Sequence, residues 1–137
     1  MTRKINHIGI AVKSIAASVP FYREQLGMHE EGSEVVAEQK VKVAFFAIGE
    51  SRIELLEPTR PDANMAKFLE RKGEGLHHIC FQTADVDGEL ETLKSKEVAL
   101  VDQKSRAGLA GMICFLHPKA SRGVLVELAT PMDMYRG

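Results

Sequence analysis

The segment His7-Ile-Gly-Ile-Ala-Val, residues 7–12, has a counterpart in His78-Ile-Cys-Phe-Gln-Thr, residues 78–83. Each segment is short and largely apolar, as is typical of a buried strand, and each begins with a histidine. At nearly equal distances along the chain a glutamate interrupts a second apolar run, Glu54 in the first half and Glu127 in the second. The repetition indicates a fold built from two equivalent halves.

The four repeated side chains form a candidate metal site. Taken singly, a strand histidine is often a core residue bonded to a backbone carbonyl, and a strand glutamate often lies on an exposed face. A carboxylate inside an apolar run, however, is costly to bury without a cation nearby. Nitrogen and oxygen ligands together suit a divalent first-row metal with open positions for a substrate. We therefore predict a metal site made of His7, Glu54, His78 and Glu127.

The pattern of apolar and turn residues predicts a β-α-β-β-β unit in each half. We expect Ser14 to cap the first helix and Asp85 or Asp87 to cap the second. Pro20 predicts either a kink in the first helix or a late start of that helix. The predicted strands are 5–12, 35–37, 41–48, 52–56, 77–83, 99–101, 111–116 and 123–129. The expected fold is α+β, one domain over residues 1–137 with tandem units at about 1–60 and 74–137. A helix joins the units, and two curved sheets surround a metal-binding cleft.

Composition restricts the classes of function. The chain has 137 residues, of which 45% are hydrophobic, and its 18 basic and 19 acidic residues nearly balance. This balance gives no electrostatic reason to expect binding to nucleic acid or to an anionic membrane. The apolar strand near the start is far shorter than the roughly twenty residues needed to span a bilayer, so we predict a cytoplasmic protein. Cys80 and Cys114 lie in apolar runs and are expected to be buried, reduced thiols.

The whole chain resembles the vicinal oxygen chelate superfamily, which includes glyoxalases and bleomycin resistance proteins. Within it, several runs resemble the methylmalonyl-CoA epimerases, and the more specific ones are Gly-Leu-His-His and Phe-Leu-His-Pro-Lys. The runs are 38–41, 53–58, 73–79, 115–119 and 123–128. The resemblance implies a divalent metal, often cobalt, with manganese, nickel or zinc as alternatives. It implies the ligands His7, Glu54, His78 and Glu127, a CoA thioester as substrate, and a homodimer.

The resemblance also implies the reaction, which is inversion of C2 in methylmalonyl-CoA through a metal-stabilised enolate. Inversion requires proton removal on one face and proton return on the other. Glu127 is the first candidate for this role. Some epimerases have Gln at the Glu54 position and a separate Glu where this chain has Val43. We therefore hypothesise that Glu54 is both a metal ligand and the base on the opposite face.

Two further residues are weaker candidates, and two other functions stay open. Lys119 is a candidate for binding the substrate carboxylate or a CoA phosphate, and Gln39 for a hydrogen bond near the site; both fit a solvated surface equally well. The rival enzyme is glyoxalase I, which has the same types of ligand. The non-enzymatic rival is a small-molecule-binding module of the same fold. We also expect loops at Glu30–Glu34 and Ser105–Gly111.

Overall fold

The computed structural model describes the backbone of residues 2–137 and the side chains from Lys4 onward. In chain order the elements are β1 (Thr2–Ala11), α1 (Ile15–Pro20), β2 (His29–Val36), β3 (Val41–Ile48), β4 (Ser51–Pro58), α2 (Asn64–Lys72), β5 (Gly75–Thr83), α3 (Val86–Ser95), β6 (Arg106–Gly108), β7 (Gly111–Leu116), α4 (Pro118–Ser121) and β8 (Val126–Thr130). The β-α-β-β-β order occurs twice, with α2 between the two copies. The predicted α+β class with two tandem units is confirmed.

The chain divides into two compact units with the same internal topology. The first unit comprises residues 7–77, and the second comprises residues 1–6 and 78–137. In the first, the strand order is β2-β3-β4-β1, and β1 and β4 run parallel. In the second, the order is β5-β8-β7-β6, and β5 and β8 run parallel. The other strand pairs within each unit are antiparallel.

The strand register is also duplicated around the two glutamates. Glu54 pairs with Gly9 on one side and with Phe45 on the other. Glu127 pairs in the same way with Cys80 and Phe115. Gly9 and Cys80 each follow a histidine by two residues, and side chains two residues apart in a strand share a face. Each unit therefore presents its histidine and its glutamate on one face of its sheet.

The first helix forms as its sequence predicts, and it covers the opposite face of the first unit. The Ser14 hydroxyl accepts a hydrogen bond from the Ala17 amide at 3.1 Å and so caps the helix. Ile15 and Val19 pack against Phe46 and Leu55 in a buried cluster. After Pro20 the helix widens into a π-helical turn over Phe21–Gln25, because proline has no amide hydrogen to continue the α-helical bonds.

The second unit is covered in the same manner by α3. Asp85 is the cap, since its carboxylate accepts from the Gly88 amide at 3.0 Å. Val86 and Leu90 pack against Cys114 and Leu128. These last two residues alternate along their strands with Phe115 and Glu127, so α3 covers the face opposite to Glu127. Both cysteines are buried and free, as predicted.

The connecting helix α2 begins at Asn64 and ends at Lys72, and the next residue, Gly73, has a positive φ of 81°. Met65 is buried, and Phe68 and Leu69 are half-buried against the core of the first unit. Its apolar face matches the spacing expected of an amphipathic helix. Within residues 2–137, no helix is both long enough and apolar enough to span a bilayer.

Three local predictions were wrong. The segment 99–101 is not a regular strand and forms one isolated bridge, between Leu100 and Leu116. The Phe115 amide donates to the Asp102 carboxylate and not to the backbone carbonyl of a neighbouring strand. The expected loop at Ser105–Gly111 contains the short strand β6 and its hairpin turn. The acidic stretch Glu30–Glu34 lies inside β2, whose mostly exposed side chains explain its polar composition.

Candidate active site

The first unit places His7 and Glu54 together. His7 comes from β1 and Glu54 from the parallel strand β4, and the histidine Nδ1 lies 3.5 Å from the carboxylate Oε2. The two residues are 2% and 3% exposed, so both polar side chains are removed from bulk water. Glu54 is the only carboxylate on this face of β1, β3 and β4, as the strand register shows. The first unit therefore contains one buried histidine–carboxylate pair.

The second unit places His78 and Glu127 together in the equivalent arrangement. His78 Nε2 lies 3.1 Å from Glu127 Oε1. The residues are 7% and 4% exposed. The His78 ring also meets the Phe115 ring edge to face, with centroids 5.7 Å apart, a favourable geometry for aromatic rings. The second unit therefore contains a matching pair, and packing restrains its imidazole.

The chemistry of these side chains fits a divalent metal. Each pair offers an imidazole nitrogen and carboxylate oxygens, which are ligands that first-row divalent ions accept. A carboxylate that is nearly inaccessible to water needs a compensating positive charge, which a divalent ion would supply. The burial of both pairs is therefore the arrangement expected of metal ligands.

Cys80 is a neighbour of Glu127 that the sequence analysis treated only as a buried thiol. It pairs directly with Glu127 in the β5–β8 register and is fully buried. Its sulfur lies within 4.8 Å of a Glu127 carboxylate oxygen. The signal was present in the sequence, because Cys80 follows His78 by two residues and must share its face.

Cys114 has a different environment, on the face that α3 covers. Burial, with smaller contributions from the negative charges of Asp102, Glu127 and Asp87, raises the pKa of this thiol to about 12. The thiol is therefore protonated at neutral pH and is a poor nucleophile. Its burial beneath α3 and its raised pKa both argue against a role for Cys114 as a nucleophile.

A stacked arginine lies beside the histidine–glutamate pair in each unit. In the first unit the Arg52 guanidinium carbon lies 4.2 Å from the centroid of the Phe45 ring. Its Nε is 3.3 Å from Glu31 Oε1 but has no hydrogen-bond partner, so the contact is an ion pair alone. In the second unit the Arg106 guanidinium carbon lies 5.6 Å from the Phe115 centroid. Both distances are within the range of cation–π contacts.

The strand next to Glu54 carries no second carboxylate on this face. Val43 and Phe45 occupy it, and Val43 is fully buried in a cluster with Ala11 and Leu56. The apolar cluster is well packed around a valine, and an ionised side chain there would be costly. Glu54 is therefore the buried carboxylate on this face of β3 and β4, whereas Glu31 and Glu34 of the neighbouring strand β2 are exposed.

The two weaker candidates are both exposed residues of short helical turns. Lys119 is exposed in the single-turn helix α4, where its amide donates to His117 Nδ1 at 3.0 Å. Gln39 is exposed in a 3₁₀ turn at Ala37–Gln39. Within residues 4–137, no side-chain hydrogen bond or ion pair joins either residue to a histidine–glutamate pair.

Comparison with known proteins identifies the family. The model of the glyoxalase/bleomycin resistance protein/dioxygenase superfamily matches residues 6–115. The human mitochondrial methylmalonyl-CoA epimerase is 35% identical over 127 residues, which cover 91% of this chain and 72% of the human protein.

Solved structures of epimerases share the fold closely. A methylmalonyl-CoA epimerase in complex with methylmalonyl-CoA and ammonium has a TM-score of 0.90 at 42% identity and 98% coverage of both chains. A variant of the Streptomyces coelicolor epimerase in complex with 2-nitronate-propionyl-CoA has a TM-score of 0.91 at 41% identity and full coverage of both chains. The chain therefore belongs to the glyoxalase/bleomycin resistance protein/dioxygenase superfamily and, within it, to the family of methylmalonyl-CoA epimerases, so the predicted family and the predicted class of enzyme are confirmed.

Proposed function

We propose that this enzyme interconverts the two configurations at C2 of methylmalonyl-CoA. The observation that carries the proposal is the duplicated, buried histidine–glutamate pair, which occurs in equivalent register in both units. Relatives that are similar over nearly the whole chain are named for this reaction, and one of them was solved with this substrate. A small CoA thioester is therefore the proposed partner of the site.

The residues proposed to hold a divalent metal are His7, Glu54, His78 and Glu127. Cobalt is the first candidate, and manganese, nickel and zinc also suit nitrogen and oxygen ligands. When bound, such an ion supplies Lewis-acid stabilisation for the negative charge that develops on the thioester oxygen. The burial of the four side chains supports this assignment.

Glu127 is proposed to move the proton on one face of the substrate. The C2 proton is acidified by the neighbouring thioester, and its removal leaves a planar enolate. A Glu127 oxygen accepts this proton, while the contact between Oε1 and His78 Nε2 orients the carboxylate. The edge of the Phe115 ring restrains His78 in turn.

Glu54 is proposed to act on the opposite face. Inversion needs a second acid or base, and a single group would return the proton to the side from which it came. With Val43 buried on β3, Glu54 is the buried carboxylate on its face of β3 and β4. Glu54, as the protonated acid, donates its own proton to the opposite face of C2 while Glu127 keeps the proton it accepted, and this gives the other configuration; exchange with solvent restores both groups. The duplication thus supplies two chemically equivalent bases.

Incubation in heavy water tests the proposed function. The wild-type protein is expected to incorporate deuterium at C2 of methylmalonyl-CoA and to racemise that centre, and to leave methylglyoxal with glutathione unchanged. Glu127→Gln is expected to lower epimerisation by about 10²-fold or more, the usual contribution of a positioned acid or base. Glu70→Gln, an exposed site in α2, is the matched control and should keep full activity. Turnover of the glutathione adduct and not of the CoA thioester would overturn the proposal in favour of glyoxalase I.

We also propose that the enzyme acts in the cytoplasm as a homodimer. The cytoplasmic assignment is the one predicted from the sequence, and the dimer is what the resemblance to the family implies. Light scattering coupled to gel filtration tests the dimer, and a mass near the 15.1 kDa of one chain would contradict it.

A further inference from the structure

The second unit has a cationic side chain near the His78–Glu127 pair that the proposed proton transfers do not use. Arg106 pairs with Ile113 across β6 and β7. Ile113 and Phe115 share a face of β7, and Phe115 pairs with Glu127 across β7 and β8. Arg106 therefore lies on the same face of the sheet as Glu127, two strands away.

Two contacts hold the Arg106 side chain in a defined position. Its Nε donates to Asp102 Oδ1 at 3.2 Å, and its guanidinium lies over the Phe115 ring. The other Asp102 oxygen accepts from the Phe115 amide at 2.8 Å, so Asp102 is itself fixed to the residue on which Arg106 stacks. An arginine restrained in this way loses less conformational freedom when it binds a ligand.

The terminal nitrogens of Arg106 remain available for an anion. The contact with Asp102 uses Nε, and within residues 4–137 neither terminal nitrogen has a hydrogen-bond acceptor. The side chain is 45% exposed, whereas that of Asp102 is only 16% exposed. The guanidinium fork can therefore donate two parallel hydrogen bonds to a planar oxyanion.

The location of Arg106 indicates which anionic group of the substrate it would bind. Its guanidinium is one aromatic ring away from His78, because Phe115 contacts both. In methylmalonyl-CoA the free carboxylate is bonded to the reacting carbon, whereas the phosphates lie at the far end of the pantetheine arm. We propose that Arg106 recognises the free carboxylate of the substrate and so determines specificity for a malonyl-type thioester. This inference rests on the proposed function.

Steady-state kinetics and ligand binding of Arg106→Met test the proposal. Loss of a charge-assisted contact is expected to raise KM for methylmalonyl-CoA and weaken its binding by about ten- to a hundredfold, with kcat changed less than about threefold. Propionyl-CoA has no free carboxylate, so its affinity should be the same in the variant and the wild type. Arg106→Lys should recover part of the loss. Arg71→Met, at an exposed arginine of α2, is the matched control and should behave as wild type.

Three outcomes would overturn the proposal. The first is an unchanged KM and affinity for methylmalonyl-CoA in a folded Arg106→Met protein. The second is an equal loss of affinity for methylmalonyl-CoA and propionyl-CoA, which would assign Arg106 to the shared CoA portion. The third applies if Arg106→Met does not fold, in which case Arg106→Lys is measured instead. The proposal is then overturned if Arg106→Lys loses no affinity for methylmalonyl-CoA relative to propionyl-CoA. A wild-type protein that fails to epimerise methylmalonyl-CoA would refute the proposed function instead, which keeps the two failures distinct.

Discussion

Asp102 is expected to stabilise the second unit because its carboxylate accepts the hydrogen bond of the Phe115 amide, which a strand carbonyl would otherwise accept. One oxygen accepts the Phe115 amide at 2.8 Å, and the other accepts from Arg106 Nε at 3.2 Å. Asp102→Ala removes both contacts and leaves a half-buried amide without its acceptor. Asp102→Asn removes the ion pair but keeps an amide oxygen that can accept the Phe115 hydrogen bond.

The magnitude follows from the two contacts. A hydrogen bond from an amide to a carboxylate contributes about 1.5–3 kcal/mol, and loss of the acceptor from a part-buried amide costs in that range. The ion pair adds less than about 1 kcal/mol, because the Arg106 side chain is 45% exposed and water screens it. Asp102→Ala should therefore lower the free energy of unfolding by about 2–3 kcal/mol, and Asp102→Asn by about 1 kcal/mol.

Urea denaturation followed by circular dichroism measures both values. The variants should shift the midpoint without changing the slope, as expected when native contacts are lost. Asp133→Ala, at an exposed aspartate near the C-terminus, is the control and should change stability by less than about 0.5 kcal/mol. The reasoning would be refuted if Asp102→Ala were as stable as the control, or if Asp102→Asn were as destabilised as Asp102→Ala.

Two further predictions concern acid stability and the metal. Hydrogen bonds from Ser105 and Tyr135, each 2.5 Å, hold the pKa of Asp87 below its usual range. This carboxylate stabilises the fold above its unfolded pKa of about 4, and the contribution is lost as pH falls through the lower folded value. Asp87→Asn should therefore make the free energy of unfolding fall less steeply with decreasing pH than it does in the wild type. Equal slopes for the variant and the wild type at acid pH would contradict this. Removal of metal with EDTA should lower Tm by about 5–10 °C, and Co²⁺ at about a hundred times its Kd should restore it. Identical melting curves with and without EDTA would exclude a metal bound by the native protein.

The elements that depend on local sequence were predictable. Short, largely apolar runs identify β1 and β5, since such runs are typical of buried strands. Ser14 and Asp85 cap their helices because each has a short oxygen-bearing side chain at a helix start. The duplicated sequence pattern also predicted that His7 pairs with Glu54 and that His78 pairs with Glu127.

The features that depend on tertiary register were not predictable. The Asp102 carboxylate bonds the Phe115 amide 13 residues away, and nothing in the local pattern distinguishes this from a third short strand. The stacking of Arg106 on Phe115 likewise depends on the pairing of β6 with β7. The sequence predicted a loop for the segment Ser105–Gly111, which contains β6. Charge and turn composition identified Glu30–Glu34 as exposed but could not show that its backbone pairs with β3.

The role of Glu54 as a base on the opposite face is the central claim, and the stereochemistry of exchange in Glu54→Gln tests it most directly. Each pure configuration of methylmalonyl-CoA is incubated with the variant in heavy water, and deuterium at C2 is measured by mass spectrometry. The account predicts that Glu127 still exchanges the proton of one configuration, whereas the other configuration stays unlabelled and epimerisation is lost. Exchange of both configurations with full epimerisation in Glu54→Gln would contradict the account.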